Sequence, residues 1–287
     1  MCKALINIII PVYNAEKTLE RCLESVMSQT YQGPWRAILI DDASGDGSRE
    51  MMRRAAQQDS RFVCVYNQNN LGASATRNVG LELVKEGYAA FLDSDDWWEP
   101  EMLECLYDLA VKNDADIAQC GFFYNYPGGK QYTPPPAFDS GQVLDRSRFD
   151  KVYYRMATGI NMNHVCMKLI RAEVIEGVQF LTTLKTAEDL AFCVELFKRA
   201  KRYAYVPKPL YHYYRDGSGL TGSRLSGAEK WKANRAVSGV IQKNLKELGA
   251  DGVFLRILVA LRPFTITVSK IYRMLLERRS LKSNGEQ

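Results

Sequence analysis

The first strongly apolar stretch of the chain reads LINIIIPVYN over residues 5–14, and its relation to the segments that follow decides the fold. Residues 5–10 form a short β-rich run that ends at Pro11, which is typical of a strand buried inside a parallel sheet. A helical pattern follows over residues 15–30, where apolar side chains recur every three or four positions. The pair makes one strand–helix unit.

The same alternation continues through the first third of the chain. Strands are predicted over residues 35–40, 62–66 and 88–92, and helices over residues 48–59 and 74–86. Short strands alternating with helices are typical of βαβ units, which place helices on both faces of a sheet. We therefore predict an α/β fold with a mostly parallel central sheet. Ligands of such sheets bind at the carboxyl ends of the strands, so functional residues should directly follow them.

The second part of the chain is less regular. Residues 127–141 are rich in Pro, Gly and Tyr and are predicted to form a loop. Helices are predicted over residues 149–157 and 186–200, and residues 206–210 are predicted to turn into a short aromatic strand over residues 211–214.

The pattern becomes entirely helical beyond residue 226. We predict one domain over residues 1–225 and a C-terminal helical extension over residues 226–287.

Composition limits the classes of function. The 287 residues leave room for one large α/β domain with an appendage, and 46% hydrophobic with 25% charged residues indicates a folded chain. The net charge of +5 is mild, and the basic residues are spread out until they cluster near the C-terminal end. A nucleic-acid-binding protein concentrates such residues on one face. We expect no nucleic-acid partner, and a diphosphate ligand or an anionic membrane surface fits better.

Cysteines and apolar runs suggest a location. The seven cysteines are odd in number and form no C-x-x-C pair, which argues against a disulfide framework or a zinc site and favours small buried side chains in a reducing compartment. The run at residues 5–10 is too short to span a bilayer and lacks a signal-peptide cleavage pattern. We expect a cytoplasmic protein, or one attached to the cytoplasmic face of the inner membrane.

The strongest functional signal is FLDSDDW over residues 91–97, where three carboxylates follow a predicted strand. Clustered carboxylates repel one another, whereas Mg²⁺ or Mn²⁺ binds carboxylate, diphosphate and water oxygens together. Asp93 and Asp95 point the same way on an extended chain, so both are predicted to bind a metal that neutralises charge on a departing diphosphate. The alternative is a solvated acidic turn in which Asp96 caps the next helix.

A second signal is DDASGDGS over residues 41–48. Asp42 stands at a strand end, where its carboxylate could accept from a nucleobase N–H or a ribose hydroxyl. Asp46 and Ser48 are predicted to form a turn and to cap the following helix.

Two further segments complete the pattern. PVYN over residues 11–14 places Tyr13 directly after a strand, where its ring could lie on a flat base or simply pack. NLGASATRN over residues 70–78 contains Arg77, which could orient Asp42, meet a base or a phosphate, or lie on the surface.

In order and spacing, these four segments resemble the family-2 glycosyltransferases of the GT-A fold over about the first 105 residues. The resemblance implies an inverting, metal-dependent enzyme that moves a sugar from a nucleotide-diphosphate sugar, commonly a UDP-sugar, to a carbohydrate acceptor, as in bacterial polysaccharide synthesis. It divides the domain into a nucleotide-binding half, residues 1–105, and an acceptor half, residues 106–225.

The resemblance also implies residue roles. The residues that it assigns to the nucleotide-sugar site are Pro11, Val12, Tyr13, Asp42, Arg77, Asp93 and Ser94. Tyr13 and Asp42 would hold the base, and Asp93 would reach the ribose and the metal. Asp95 would bind Mn²⁺ or Mg²⁺ at the diphosphate.

A catalytic base is implied by TAEDL over residues 186–190, which resembles the later acidic pair of the family. Asp189 would take the proton of an acceptor hydroxyl as its oxygen attacks the anomeric carbon. One displacement inverts that centre and needs no separate nucleophile. Many relatives carry Gly or an aromatic residue where this chain has Ala187. The alternative is that Glu188 and Asp189 only complement a helix N-terminus.

Other interpretations stay open from the sequence. A nucleotidyltransferase acting on sugar phosphates would also use carboxylates and Mg²⁺, but it needs a Gly-rich, basic phosphate loop that residues 11–14 do not supply. A non-catalytic carbohydrate-binding protein would need neither the metal carboxylates nor Asp189. His212 is predicted to pack or to hydrogen-bond behind the site, and the roles of Arg215 and Lys168 are open.

Residues 253–276 form a basic amphipathic pattern. Such a helix lies on an anionic leaflet, or packs on its own domain or on a sister subunit. Contact with a membrane would suit a lipid-linked acceptor.

Overall fold

The computed structural model describes residues 3–158, 161–184, 186–215, 226–247, 256–257 and 259–261. Within them, ten strands form one mixed sheet. The strands are β1 (Ile6–Val12), β2 (Trp35–Asp41), β3 (Phe62–Tyr66), β4 (Tyr88–Phe91), β5 (Trp97–Trp98), β6 (Ile117–Asn125), β7 (Gln131–Tyr132), β8 (Gln142–Asp145), β9 (Lys168–Arg171) and β10 (Arg202–Tyr214).

Helices pack around this sheet. They are α1 (Leu19–Met27), α2 (Ser48–Gln58), α3 (Ala73–Glu82), α4 (Met102–Lys112), α5 (Asp150–Thr158), α6 (Ala172–Ile175), α7 (Glu188–Arg199) and α8 (Gly227–Glu247).

The first half of the sheet is parallel. The strands lie in the order β3-β2-β1-β4, and each neighbouring pair runs in the same direction. Ile6, Ile8 and Ile10 of β1 are fully buried, as expected for a strand covered on both faces. The predicted α/β architecture is confirmed, with each of these strands found within two residues of its predicted ends.

The second half is mixed. The order continues as β9-β6-β10-β5, with β9 antiparallel to both β4 and β6. Strands β6 and β10 are parallel to each other, whereas β5, β7 and β8 pair antiparallel at the periphery. The sequence did not predict β6, where Gln119 and Gly121 interrupt the apolar run. The Gln119 side chain is buried and donates to the carbonyl of Asn161 at 2.8 Å.

The turn predicted over residues 206–210 is wrong, because β10 runs through it. Pro207 and Pro209 lack backbone N–H groups and interrupt the hydrogen-bond ladder. The strand absorbs them as an irregularity in its pairing with β6 on either side of Pro209. Gly121 of β6 faces this irregularity, and a Cβ atom there would come within 3.2 Å of the carbonyl oxygens of Pro207 and Lys208.

The described part of the C-terminal extension is mainly α8, which packs against α7. Asn244 donates to Glu195 at 2.7 Å, and Lys198 pairs with Glu247. Most of residues 253–276 lies outside the described residues. No helix in the described ranges is long and apolar enough to cross a membrane. Six described cysteines are free thiols.

Helix α3 lies unusually close to the sheet at Gly80. A Cβ atom at this position would come within 2.6 Å of Ile9 Cγ2 and 3.0 Å of Ile40 Cδ1. The absent side chain lets the backbone of α3, which carries Arg77, approach β1 and β2.

We predict that Gly80→Ala lowers the free energy of unfolding by about 1 kcal/mol, since overpacking typically costs 1–3 kcal/mol and better helix propensity returns up to about 1 kcal/mol. Gly239→Ala is the matched control: this exposed glycine of α8 has open space around it and should be neutral or stabilising. Urea denaturation measures both. Equal effects would mean that α3 does not depend on the close approach.

Candidate active site

The loops after β1 and β2 are joined by hydrogen bonds at the carboxyl edge of the sheet. The N–H of Asn14 donates to Ser44 Oγ at 3.0 Å, and the N–H of Gly45 donates to Asn14 Oδ1 at 2.8 Å. Asn14 adopts a positive φ of 48°, a conformation that Asn tolerates better than most residues. Ser48 Oγ accepts from the N–H of Ala15 at 2.8 Å. The two loops therefore hold one fixed shape beside Tyr13.

Three predicted nucleotide-site residues lie at the end of β1. Tyr13 is 52% exposed, so its ring is accessible to a ligand. The Val12 side chain is buried, and its carbonyl accepts from the N–H of Asp42 at 2.8 Å. Pro11 is half-buried in the strand. Tyr13 therefore offers an accessible ring, and the buried Val12 and half-buried Pro11 hold the strand end that carries it.

Asp42 is buried and holds a neighbouring loop. Its two carboxylate oxygens accept from the N–H groups of Leu71 and Gly72, each at 2.8 Å, and Oδ1 also accepts from Asn67 at 3.0 Å. Gly72 has φ 83°, which explains the glycine there. In this structure the carboxylate supports the start of α3. A nucleobase that bound to Asp42 would have to share the carboxylate oxygens with these N–H groups.

Arg77 binds three carboxylates rather than orienting Asp42. It is only 5% exposed, and Nη2 donates to Asp93 Oδ1 at 2.6 Å. Nη1 lies 3.5 Å from Asp189 Oδ1 and 3.7 Å from Glu188 Oε1. The expectation that Arg77 could meet Asp42 or lie on the surface is wrong. A single buried cation joins the end of β4 to the start of α7.

The segment after β4 is a tight turn, here called the acidic turn (residues 93–96). The N–H of Asp96 donates to the carbonyl of Asp93 at 3.0 Å, so Asp93 and Asp95 do not lie on an extended chain as predicted. Ser94 and Asp95 form the corner and are partly exposed. The turn itself brings the two carboxylates onto a short stretch of surface.

Asp96 points inward and does not cap a helix. It is 1% exposed, accepts from the hydroxyl of Tyr211 and accepts from the N–H of Tyr214 at 2.7 Å. Burial raises its pKa well above the usual range, and the carboxylates of Asp95 and Asp93 add to this. The predicted capping role is wrong, because α4 begins only at Met102. Asp96 anchors the turn to β10.

Asp189 lies in the first turn of α7, beside Arg77. Burial raises the pKa of Asp189 to about 7, while Arg77 opposes the shift and Glu188 and Asp93 add to it. A carboxylate with this pKa is suited to act as a base near neutral pH. The preceding Ala187 has φ 62°, in the left-handed region that favours glycine. This chain therefore carries alanine at a backbone conformation that glycine adopts more readily.

Other candidates prove structural. His212 stacks between Trp97 and Phe123, and its Nε2 lies 2.9 Å from Glu99, so the prediction of packing agrees with its surroundings. Lys168 is fully buried and donates to the carbonyls of Met162 and His164.

One contact at Asp93 was not foreseen from the sequence. Cys166 Sγ lies 3.6 Å from Asp93 Oδ2. Only the position of β9 in the sheet brings this thiol to the turn.

The acidic turn can be tested against the needs of a divalent cation. No three His, Cys, Asp or Glu side chains converge as a metal cage within the residues that the structure describes. Mg²⁺ and Mn²⁺ bound with a diphosphate need only one or two protein carboxylates. Asp93 and Asp95 are partly exposed, and their charge already raises the pKa of Asp96. The turn fits a cation that arrives with phosphate and water ligands.

The candidate site thus combines the end of a parallel half sheet, an acidic turn after β4 and a partly buried carboxylate at a helix start. The family model described as "Glycosyl transferase family 2" matches residues 7–178, and the chain belongs to this family.

Two curated relatives illustrate the range. The chain is 30% identical over 219 residues to the uncharacterized glycosyltransferase EpsJ of Bacillus subtilis (strain 168). The matched region covers 76% of this chain and 63% of EpsJ. It is 29% identical over 213 residues to the poly(ribitol-phosphate) beta-N-acetylglucosaminyltransferase TarP of Staphylococcus aureus (strain N315), which covers 73% of this chain and 62% of TarP. The chain thus spans less than two thirds of either relative.

Solved structures confirm the fold. The crystal structure of S. aureus TarS 1-349 in complex with UDP-GlcNAc matches with a TM-score of 0.68 and 20% identity, covering 83% of this chain and 66% of that chain. The predicted GT-A fold is confirmed by this likeness.

We predict that Arg77→Met lowers the free energy of unfolding by about 3 kcal/mol at neutral pH, because it leaves three carboxylates without their buried cation. The loss should shrink as the pH falls, since protonated carboxyls need no counter-charge. Arg171→Met is the matched control, because Arg171 pairs with Asp114 and Asp116 nearer the surface and should cost below about 1 kcal/mol. Urea titrations at several pH values measure this. A loss independent of pH would contradict the role assigned to Arg77.

Proposed function

We propose that this glycosyltransferase moves a hexosyl residue from a UDP-sugar to a carbohydrate acceptor with inversion, using Mn²⁺ or Mg²⁺. The observation that carries the proposal is the joining of the acidic turn and Asp189 by Arg77. It brings a candidate diphosphate site and a candidate base to the two terminal nitrogens of one guanidinium. The reacting carbon of a donor would lie on the exposed side of these carboxylates.

Donor binding is assigned to the nucleotide half. The exposed ring of Tyr13 offers a face for a uracil base, and the rim of Asp42, Leu71 and Gly72 borders the same edge. Asp93 and Ser94 would approach the ribose. UDP is preferred because TarS of the same fold was solved with UDP-GlcNAc.

The metal proposal concerns Asp95 and Asp93. A divalent cation held there would neutralise charge on the departing diphosphate. Arg77 keeps Asp93 in place through a 2.6 Å ion pair. Asp96 anchors the turn to β10 through the hydrogen bonds that it accepts from Tyr211 and Tyr214. The chain therefore fixes the carboxylates before a substrate arrives.

Asp189 supplies the proposed base. Its carboxylate would accept the acceptor hydroxyl proton while that oxygen forms a bond to the anomeric carbon. The bond from that carbon to the diphosphate oxygen breaks in the same step, and UDP leaves with the electron pair. This single displacement forms no covalent intermediate and would invert the anomeric centre.

The acceptor and its location extend the proposal. TarP, named as a poly(ribitol-phosphate) beta-N-acetylglucosaminyltransferase, supports a role in cell-surface polymer synthesis. A lipid-linked glycan acceptor would be met there on the cytoplasmic face of the membrane. Basic side chains are exposed along α8 and suit an anionic leaflet. They are Lys232, Arg235, Lys243 and Lys246. Family membership favours glycosyl transfer over the nucleotidyltransferase alternative.

We predict that purified protein releases UDP from at least one UDP-sugar when Mn²⁺ and a glycan acceptor are present, and that a chelator stops the release. Asp95→Ala should lower the rate at least about 100-fold through lost charge stabilisation. Asp108→Ala, an exposed carboxylate of α4, is the control and should keep the wild-type rate. A coupled assay for UDP measures each. An Asp95→Ala enzyme with full, chelator-sensitive activity would exclude Asp95 as a metal ligand.

We predict that Asp189→Asn abolishes transfer but leaves UDP binding within about twofold, because an amide cannot accept the proton. In the wild type, the base works only when deprotonated. With a pKa of about 7, kcat/KM should fall about tenfold per pH unit below 7 and level off above it. Asp145→Asn, an exposed capping carboxylate, is the control. A flat profile between pH 5 and 8 would remove Asp189 from the role of base.

A further inference from the structure

A row of four flat groups lies beside the acidic turn. The guanidinium of Arg21, on α1, sits 3.7 Å from the centroid of the Trp97 ring. Trp97 is stacked on His212 with centroids 4.7 Å apart and planes 7° from parallel, and His212 is stacked on Phe123 at 4.8 Å. This row, here called the planar stack, runs from α1 through β5 and β10 to β6.

The planar stack ends on the backbone of the turn. Arg21 Nη2 donates to the carbonyl oxygen of Asp95 at 2.9 Å, and its guanidinium also lies 4.8 Å from the Tyr214 ring centroid. The neighbouring Cys22 Sγ lies 3.8 Å from the carbonyl oxygen of Asp93. Helix α1 therefore contacts the turn at both carbonyls that flank its corner.

The geometry of Arg21 is restrictive. A guanidinium stacked on an aromatic face keeps that contact only while its plane lies along the ring, and this plane aims its N–H groups. Its Nε is buried without a hydrogen-bond partner among the described residues. The arrangement thus leaves one polar atom unsatisfied while it keeps the bond to Asp95. A side chain that only filled space could be apolar and would leave no buried polar atom without a partner.

We propose that Arg21 is a positioning residue that fixes the backbone of Asp95, so that this carboxylate faces the cation and diphosphate of the donor. The inference rests on the proposed function, since it assigns Asp95 to the metal. Arg21 does not touch the substrate: it acts through the carbonyl of Asp95 and through Trp97, which follows the turn directly.

The test measures how far Mn²⁺ strengthens UDP binding. Calorimetry gives the UDP dissociation constant with a chelator and with Mn²⁺. The first constant divided by the second is the ratio used here, and it reports the metal-dependent part of binding alone. Residues that support metal ligands typically change metal affinity 10- to 100-fold when replaced. Arg21→Lys keeps the charge but loses the plane, so it should lower the ratio about 10-fold. Binding without metal and the melting temperature serve as the structural readouts.

Arg61→Lys is the matched control. Arg61 lies 3.8 Å from the Trp35 ring centroid and pairs with Asp59, so it has the same chemistry away from the turn. It should leave the ratio unchanged. Trp97→Phe is the second variant, which keeps a ring in the planar stack but reduces its face, and it should lower the ratio in the same direction if Arg21→Lys does not fold.

The double variant Arg21→Lys/Asp95→Ala separates positioning from general packing. If Arg21 acts through Asp95, adding the Arg21 change to Asp95→Ala has no further effect on the ratio.

The outcomes are distinct. A lowered ratio in Arg21→Lys or Trp97→Phe, absent from Arg61→Lys and from the Asp95→Ala background, supports the proposal. An unchanged ratio with a lower melting temperature overturns it and leaves the proposed function intact. A wild-type protein that binds UDP equally well with and without Mn²⁺, or not at all, refutes the metal site itself and the positioning role with it.

Discussion

The ion pairs of Arg77 are the interaction on which the site depends. A buried guanidinium is costly unless anions surround it, and clustered carboxylates are costly unless a cation separates them. Here each satisfies the other, because Asp93 comes from the end of β4 and Asp189 from the start of α7, more than ninety positions later in the chain. The guanidinium therefore joins two segments that lie far apart in the chain.

The mixed order of the sheet explains how the halves meet. Strand β9 inserts antiparallel between β4 and β6, and the loop before it brings Cys166 to the acidic turn. Strand β10 then runs parallel to β6 and carries Tyr211, whose hydroxyl donates a hydrogen bond to Asp96. Strand β9 therefore connects the parallel half of the sheet to the strands of the second half.

Much of residues 1–105 could be predicted from the sequence, because buried parallel strands are continuous apolar runs bounded by turns. The fold of residues 106–225 could not be predicted in the same way. Strand β6 contains Gln119 and Gly121, and β10 contains two prolines, and these residues locally indicate a loop or a turn. The same limit applies to the site. Asp93 and Asp95 could be proposed as metal ligands from their type and spacing, whereas the inward direction of Asp96 and the burial of Arg77 follow from contacts between distant segments. Arg21 gave no sequence signal, since only the fold brings Trp97 and Tyr214 to its guanidinium.

Ala187 has a consequence for the helix that carries Asp189. Its left-handed backbone costs roughly 1–2 kcal/mol compared with an ordinary conformation, a cost that glycine would not incur. Alanine also gives the unfolded chain fewer conformations to lose, and it narrows the backbone motions open to the folded loop. Alanine at this junction therefore costs stability but restricts the backbone just before Asp189, and we expect this restriction to limit the movement of its carboxylate.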